Sequence, residues 1–249
     1  MLYHRHLSWY VLLYEDLLKR IELLRRYTEG TPQGSHIDLF GLNTYVTGIE
    51  GPRVVVIITD IYGHKFNNLL LIADEFARQG YYVLIPDVLN GEDYVPSLGD
   101  LPEWLGRHGP DVTTPIVDGF LSQLTSEKKP EFVGIIGYCF GAKYAIQQLA
   151  KGKYATVGAI AHPSFVTIEE VTAIEKPIII SAAEIDPIFP EELRHQTETK
   201  LREIGARYQL TLFSHVSHGF AVRHDTSDPI IKYAMDKTLA DQIQWFNLF

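Results

Sequence analysis

From residue 53 onward the apolar positions fall into two alternating textures. Residues 53–59 (RVVVIIT) are an unbroken β-branched run, the composition of a strand covered on both faces. Shorter apolar runs at 82–86, 132–138, 157–161, 177–182 and 208–213 predict further strands. Between them, helical spacing predicts helices over 69–78, 114–124, 142–150, 191–204 and 230–245. This alternation predicts an α/β fold with a mostly parallel central sheet flanked by helices and no separate cap domain. Right-handed crossovers then bring the loops after the strand C-termini to one edge, where such folds bind ligands. The longest irregular stretch, residues 89–112, holds four glycines and three prolines and predicts a functional loop or lid.

The first 28 residues differ in texture. Leu12, Leu13, Tyr14, Leu17, Leu18, Ile21 and Leu24 recur near helical spacing, with Glu and Arg between them. They predict an amphipathic helix ending near Gly30, before Pro32, that docks on the body or on a partner subunit. The expected organisation is therefore an N-terminal extension over 1–28 and one α/β domain over 29–249.

Composition narrows the class. The 249 residues are 46% hydrophobic, enough for a sizeable core without disulfides. With 22 basic and 31 acidic side chains the net charge is −9, which argues against nucleic acid as a partner. No apolar run reaches the ~18 residues of a membrane span. Residues 7–14 are apolar, but Glu15 and Asp16 follow and no small-residue cleavage site does, so a secretory signal is not expected. The acidic residues also set it apart from a mitochondrial presequence. A single cysteine, Cys139, excludes an internal disulfide and a Cys-rich zinc site and fits the cytoplasm. His4 and His6 lack a third ligand nearby, so neither a metal nor an organic cofactor is expected.

Gly137-Tyr138-Cys139-Phe140-Gly141 lies between a predicted strand and a predicted helix. It is the G-x-S-x-G nucleophile elbow with sulfur replacing oxygen. The nucleophile occupies a strained turn, and side chains at either glycine would collide with the neighbouring strand and helix. The turn exposes sulfur at the sheet edge beside a helix N-terminus, which favours thiolate. The Phe140 N–H then faces a developing oxyanion. A buried, inert thiol is the bland alternative.

On such a fold the acid and the histidine follow the nucleophile in that order. Asp186 falls in the loop after the strand at 177–182, with Glu184 as its rival. His218 falls in the loop after 208–213, with His215 as its rival. His218 would move the proton, and Asp186 would fix its tautomer. The strand at 53–59 runs into Asp60-Ile61-Tyr62-Gly63, making the Ile61 N–H the second oxyanion donor; Asp60 either sits beside the sulfur or caps the loop.

These motifs, together with TDIYGHKFNNLLLIADEFA, YYVLIPDVLNGE, GYCFGAKYA, AHPSF, ISAAEIDPIFP, SHGFAVRHD and the closing DQIQWFNLF, resemble the dienelactone hydrolase family, particularly its fungal cytosolic members. The resemblance runs from about residue 28 to 249. It implies a lid-less α/β-hydrolase with a Cys139–Asp186–His218 triad. It also implies a thiol-contacting carboxylate at Asp60, where bacterial members carry Glu. Of the two arginines that hold a substrate carboxylate there, one position reads Val88-Leu89-Asn90 and the other corresponds to Arg223, displaced by one. Trp104, Tyr62, Phe189 and Phe220 are candidate walls of an aromatic pocket.

The leading expectation is a cysteine-dependent hydrolase of lactones or activated esters, acting on a small molecule as monomer or homodimer. Class I glutamine amidotransferases also set a Cys between glycines, but they carry His-x-Glu where this chain has His218-Gly219-Phe220. The remaining alternative is a hydrolase-like scaffold that binds or senses a ligand without turning it over.

Overall fold

A computed structural model describes residues 30–97, 99–223 and 227–249. The predicted N-terminal helix, with His4 and His6, lies outside the described residues. Among these residues eight strands form one sheet: β1 (Ser35–Leu39), β2 (Leu42–Thr47), β3 (Arg53–Ile58), β4 (Tyr82–Pro86), β5 (Phe132–Tyr138), β6 (Val157–Ala161), β7 (Ile178–Ile185) and β8 (Tyr208–Ser217). The helices are α1 (Asn67–Arg78), α2 (Leu101–Arg107), α3 (Pro110–Gln123), α4 (Gly141–Gln147), α5 (Ile168–Thr172), α6 (Glu191–Glu203) and α7 (Pro229–Phe246). The spatial order is β1-β2-β4-β3-β5-β6-β7-β8. The β1/β2 and β2/β4 pairs are antiparallel, and the five pairs from β4 through to β8 are parallel. None of the described helices is long and apolar enough to cross a membrane.

The β-branched run of β3 explains the two-sided core. Successive strand residues point to opposite faces. Val54, Val56 and Ile58 pack with residues of α2, α3, α4 and α6, whereas Val55 and Ile57 pack with α1 and α7. Both faces are therefore apolar, as a parallel sheet requires.

The antiparallel hairpin β1–β2 was not predicted. Residues Ser35 to Asp38 are exposed, so no apolar alternation marks them. Its two-residue turn is Phe40-Gly41, both at positive φ (55° and 78°), in place of the usual Asn-Gly signal. The stretch expected to be a loop or lid contains α2 and the first turn of α3; the helices start at Leu101 and Pro110, with proline early in each. Strands β7 and β8 run three and four residues beyond the predicted ends. Exposed Glu184 and Ile185 at the end of β7, and exposed Ser214 and His215 in β8, interrupt the apolar signal.

Two glycines fix how β5 meets α4. A Cβ on Gly137 would lie 2.5 Å from the Ala142 Cα, and one on Gly141 would lie 2.2 Å from the Ile58 carbonyl oxygen. Neither backbone can yield without moving the sheet. Gly141→Ala is expected to cost about 1–3 kcal/mol or more in urea unfolding. Gly119→Ala, inside α3 with open space around it, should instead stabilise by about 0.5–1 kcal/mol.

Candidate active site

The parallel strands end in step, and the first residue beyond three of them carries the expected chemistry. Cys139 follows β5, Asp186 follows β7 and His218 follows β8. Cys139 is left-handed at φ 52°, a conformation L-residues rarely adopt. Backbone bonds hold it there: its N–H donates to Ala161 O (3.2 Å), and its carbonyl accepts from Ala142 (3.1 Å) and Ser164 (2.9 Å).

His218 Nε2 lies 3.1 Å from the Cys139 Sγ, and Nδ1 lies 2.8 Å from Asp186 Oδ2. The other Asp186 oxygen accepts the Ile188 and Phe189 amides at 2.9 and 3.0 Å. All three side chains are buried. The rivals lie elsewhere: the His215 N–H donates to the Glu184 carboxylate at 2.7 Å, and both residues are exposed.

Burial alone would push the Cys139 thiol up. The charge and hydrogen bond of His218, helped by Arg223, outweigh it and hold the thiol below its ordinary range. Burial would likewise push His218 down, but the Asp186 carboxylate and the Cys139 sulfur hold it above its ordinary range. Both shifts favour the thiolate–imidazolium form of the pair.

Ser164, which the sequence reading did not single out, completes this cluster. Its Oγ lies 3.3 Å from Sγ and 3.4 Å from His218 Nε2, and the residue is fully buried. The string AHPSF was noted as a family likeness, yet nothing in its pattern marks a serine as a contact of the thiol.

Asp60 faces a different partner from the one the resemblance implied. Its Oδ2 lies 3.0 Å from Arg223 Nη1, and its Oδ1 accepts the Tyr62 amide at 2.8 Å. Among the described residues it makes no hydrogen bond to the thiol. The Arg223 guanidinium also lies 4.4 Å over the Tyr62 ring.

With this geometry in hand, comparison with known proteins is informative. The model of the dienelactone hydrolase family matches residues 42–249. The chain belongs to the dienelactone hydrolase family. Hydrolase tropI of Talaromyces stipitatus is 41% identical over 78% of this chain and 80% of its own. Hydrolase pyvD of Aspergillus violaceofuscus is 36% identical over 89% and 92%. The crystal structure of dienelactone hydrolase from Anabaena variabilis superposes with a TM-score of 0.68 at 15% identity, covering 88% of this chain and 99% of that one. That likeness carries the α/β-hydrolase fold.

In this member of the dienelactone hydrolase family, one of the aromatic candidates packs on the elbow and a second reaches it through Tyr94. Trp104 stacks on His108 at 3.9 Å and meets Phe140 edge-on at 5.6 Å. Tyr62 lies 6.3 Å from Tyr94, which in turn meets Trp104 at 5.9 Å. Phe189 is buried in the same core layer, on the loop held by Asp186. Phe220 is not part of this wall: it packs in the opposite layer against His162 and Phe213. Val88 and Leu89, at the position where the family resemblance implies an arginine, are fully buried core residues. Neither the Ile61 nor the Phe140 N–H donates a hydrogen bond to another described residue.

Two outcomes follow for this family member. Because the thiol is held low, alkylation by iodoacetamide should proceed at pH values where free cysteine (pKa about 8.5) is protonated, and His218→Gln should move that midpoint upward by about one unit or more. Asp60→Ala strips Arg223 of its buried carboxylate partner and should cost about 3–5 kcal/mol in urea unfolding.

Proposed function

We propose that this protein hydrolyses lactones or activated carboxylic esters with Cys139 as nucleophile, His218 as acid and base, and Asp186 as the group that orients His218. One observation carries the reading: the unbroken chain from Sγ through Nε2 and Nδ1 to the Asp186 carboxylate, mounted on a left-handed elbow. The family of hydrolases to which the chain belongs supports it.

The thiolate attacks the carbonyl carbon, and the carbonyl electron pair moves to oxygen. The Phe140 and Ile61 amides, both without another partner among the described residues, are the donors for that oxyanion. Collapse of the intermediate breaks the acyl C–O bond. The His218 imidazolium gives its Nε2 proton to the departing alkoxide, which in a lactone stays tethered to the acyl group. Neutral His218 then takes a proton from water, whose oxygen attacks the thioester. The carboxylate leaves, and the thiolate–imidazolium pair is restored. Asp186 stabilises the imidazolium at each stage. Ser164, in contact with both Sγ and Nε2, is a positioning residue that holds the two in register. Arg223 has its charge matched by Asp60, so the reading favours neutral esters and lactones over substrates bearing a carboxylate. A sole thiol kept as thiolate also fits a reducing compartment such as the cytoplasm.

The complete burial of Cys139 favours a second reading, a ligand-binding scaffold without turnover. Burst and steady-state hydrolysis of nitrophenyl acetate separates the two. Wild type should turn over, and Cys139→Ala should lose at least about 10³-fold in kcat/KM. Asp186→Asn is expected to lose about 10⁴-fold with its fold intact. Equal inertness of wild type and Cys139→Ala would establish the scaffold. The pH profile of kcat/KM should be bell-shaped. Its acid limb, set by thiolate formation, lies below the range of a free thiol; its basic limb, set by loss of the imidazolium proton, lies above that of free histidine.

A further inference from the structure

We propose that His64, Asp87 and Asp93 form a binding site for one divalent transition-metal cation, of the zinc or manganese type, that ties the loop after β3 to the loop after β4. One donor atom from each residue lies within 4.8 Å of the other two. The His64 Nδ1 is 3.8 Å from Asp87 Oδ1. His64 is 1% exposed, and among the described residues its Nδ1 has no hydrogen-bond partner; the Asp93 Oδ1 is likewise buried without one among them. An orphaned ring nitrogen facing two carboxylates is an arrangement that a cation satisfies and water-free protein does not.

The tautomer follows from the other ring nitrogen. His64 Nε2 lies 3.0 Å from Asn43 Oδ1, an acceptor, so Nε2 carries the proton and Nδ1 presents its lone pair to the carboxylates. Asn43 also accepts the Asp87 amide on its backbone carbonyl at 2.9 Å and receives His36 Nδ1 at 3.1 Å on the same Oδ1. Asn43 thus orients both a ring and a carboxylate, as the outer partners of metal ligands do. Asp87 is fixed further, since its Oδ1 accepts the Leu89 amide at 3.0 Å. No lysine or arginine among the described residues stands within ion-pair distance of Asp87 or Asp93.

Two carboxylates and a neutral imidazole give a donor charge of −2, which a divalent ion neutralises. An imidazole among the donors favours zinc, cobalt or manganese over magnesium or calcium. Metal–donor bonds of about 2.0–2.2 Å require the three groups to draw together slightly, and half-buried Asp93 on its loop is the one able to move. Remaining coordination positions fall to water. The site is independent of the hydrolase reading.

The full-length chain, freed of metal with a chelator, tests this by calorimetric titration with zinc and manganese salts. One ion per chain is expected, with the melting temperature rising by about 5–10 °C at a hundredfold excess over Kd. Asp93→Asn, nearly isosteric and on the more open ligand, should weaken binding at least about tenfold while melting like the metal-free wild type. Cobalt loading gives a reading that needs no variant. Weak visible bands without thiolate-to-cobalt charge transfer support nitrogen and oxygen donors, whereas charge-transfer absorption would put the ion on Cys139 and overturn the assignment. Absence of a stoichiometric ion in wild type, or undiminished binding in Asp93→Asn, overturns it equally.

Discussion

Where α4 begins, its backbone lies so close to the end of β3 that a Cβ on Gly141 would sit 2.2 Å from the Ile58 carbonyl oxygen. The same approach seats Gly137 against Ala142, and between the two glycines the chain turns through Cys139 at φ 52°. Such a conformation costs about 1–3 kcal/mol and persists only where surroundings over-determine it. Here β6 and the loop after it do so, through the Ala161 carbonyl and the Ser164 amide. The thiol is thus aimed by backbone on three sides. Its distance to His218 depends on how far β8 runs beside β7, and the β7–β8 ladder, continuing to Ile185 and Ser217 past an irregularity at Ala183, sets that length.

Burial makes the electrostatics demanding. A thiol, an imidazole and a carboxyl group occupy one buried row, and a carboxylate and a guanidinium occupy another beside it. Each charge is tolerated because an opposite one stands within hydrogen-bond distance. Desolvation on its own would neutralise both Cys139 and His218, and mutual attraction reverses that for both. Asp186 contributes from the far side of the ring, and its remaining oxygen accepts two backbone amides. Arg223 pushes the thiol down and Asp60 pushes it up, so the second pair acts on the sulfur in opposing directions.

Sequence alone carried the architecture because β-branched runs and helical spacing are local signals, and the sheet needs both its faces apolar. It missed β1 and α2 because exposed strands and a seven-residue helix leave little periodicity. At the site, Cys139, Asp186 and His218 were legible from order and strand-end placement, and Glu184 and His215 could be set aside only once their mutual contact was seen. Ser164 was not legible, since its role is a distance, not a pattern. Phe220 illustrates the reverse error. One residue beyond a tight turn at Gly219, it points into the opposite layer, a change of face that spacing along the chain cannot show. The cluster at His64, Asp87 and Asp93 escaped for a third reason: its members follow two strands that are adjacent in space, β3 and β4, with α1 between them in sequence.

That adjacency has a consequence for the loop proposed to supply an oxyanion donor. Asp60-Ile61-Tyr62 is held at its start by Arg223, from the segment after β8, and its carbonyl at Ile61 accepts the Tyr94 amide at 2.7 Å. Two residues beyond Tyr62, His64 faces Asp87 and Asp93. A cation there would add a third tether from the opposite side of the sheet edge. A backbone held from both flanks keeps its amide aimed without reorganising when charge develops, which is where electrostatic stabilisation gains most of its effect. It also limits how a fully buried thiol can be reached. In the proposed hydrolase, with the strands, the elbow and this loop all held by backbone contacts, a substrate would enter by displacing side chains. Trp104, whose ring meets Phe140 and Tyr94 and whose Nε1 donates to the Glu92 carbonyl at 2.8 Å, closes one side of the elbow.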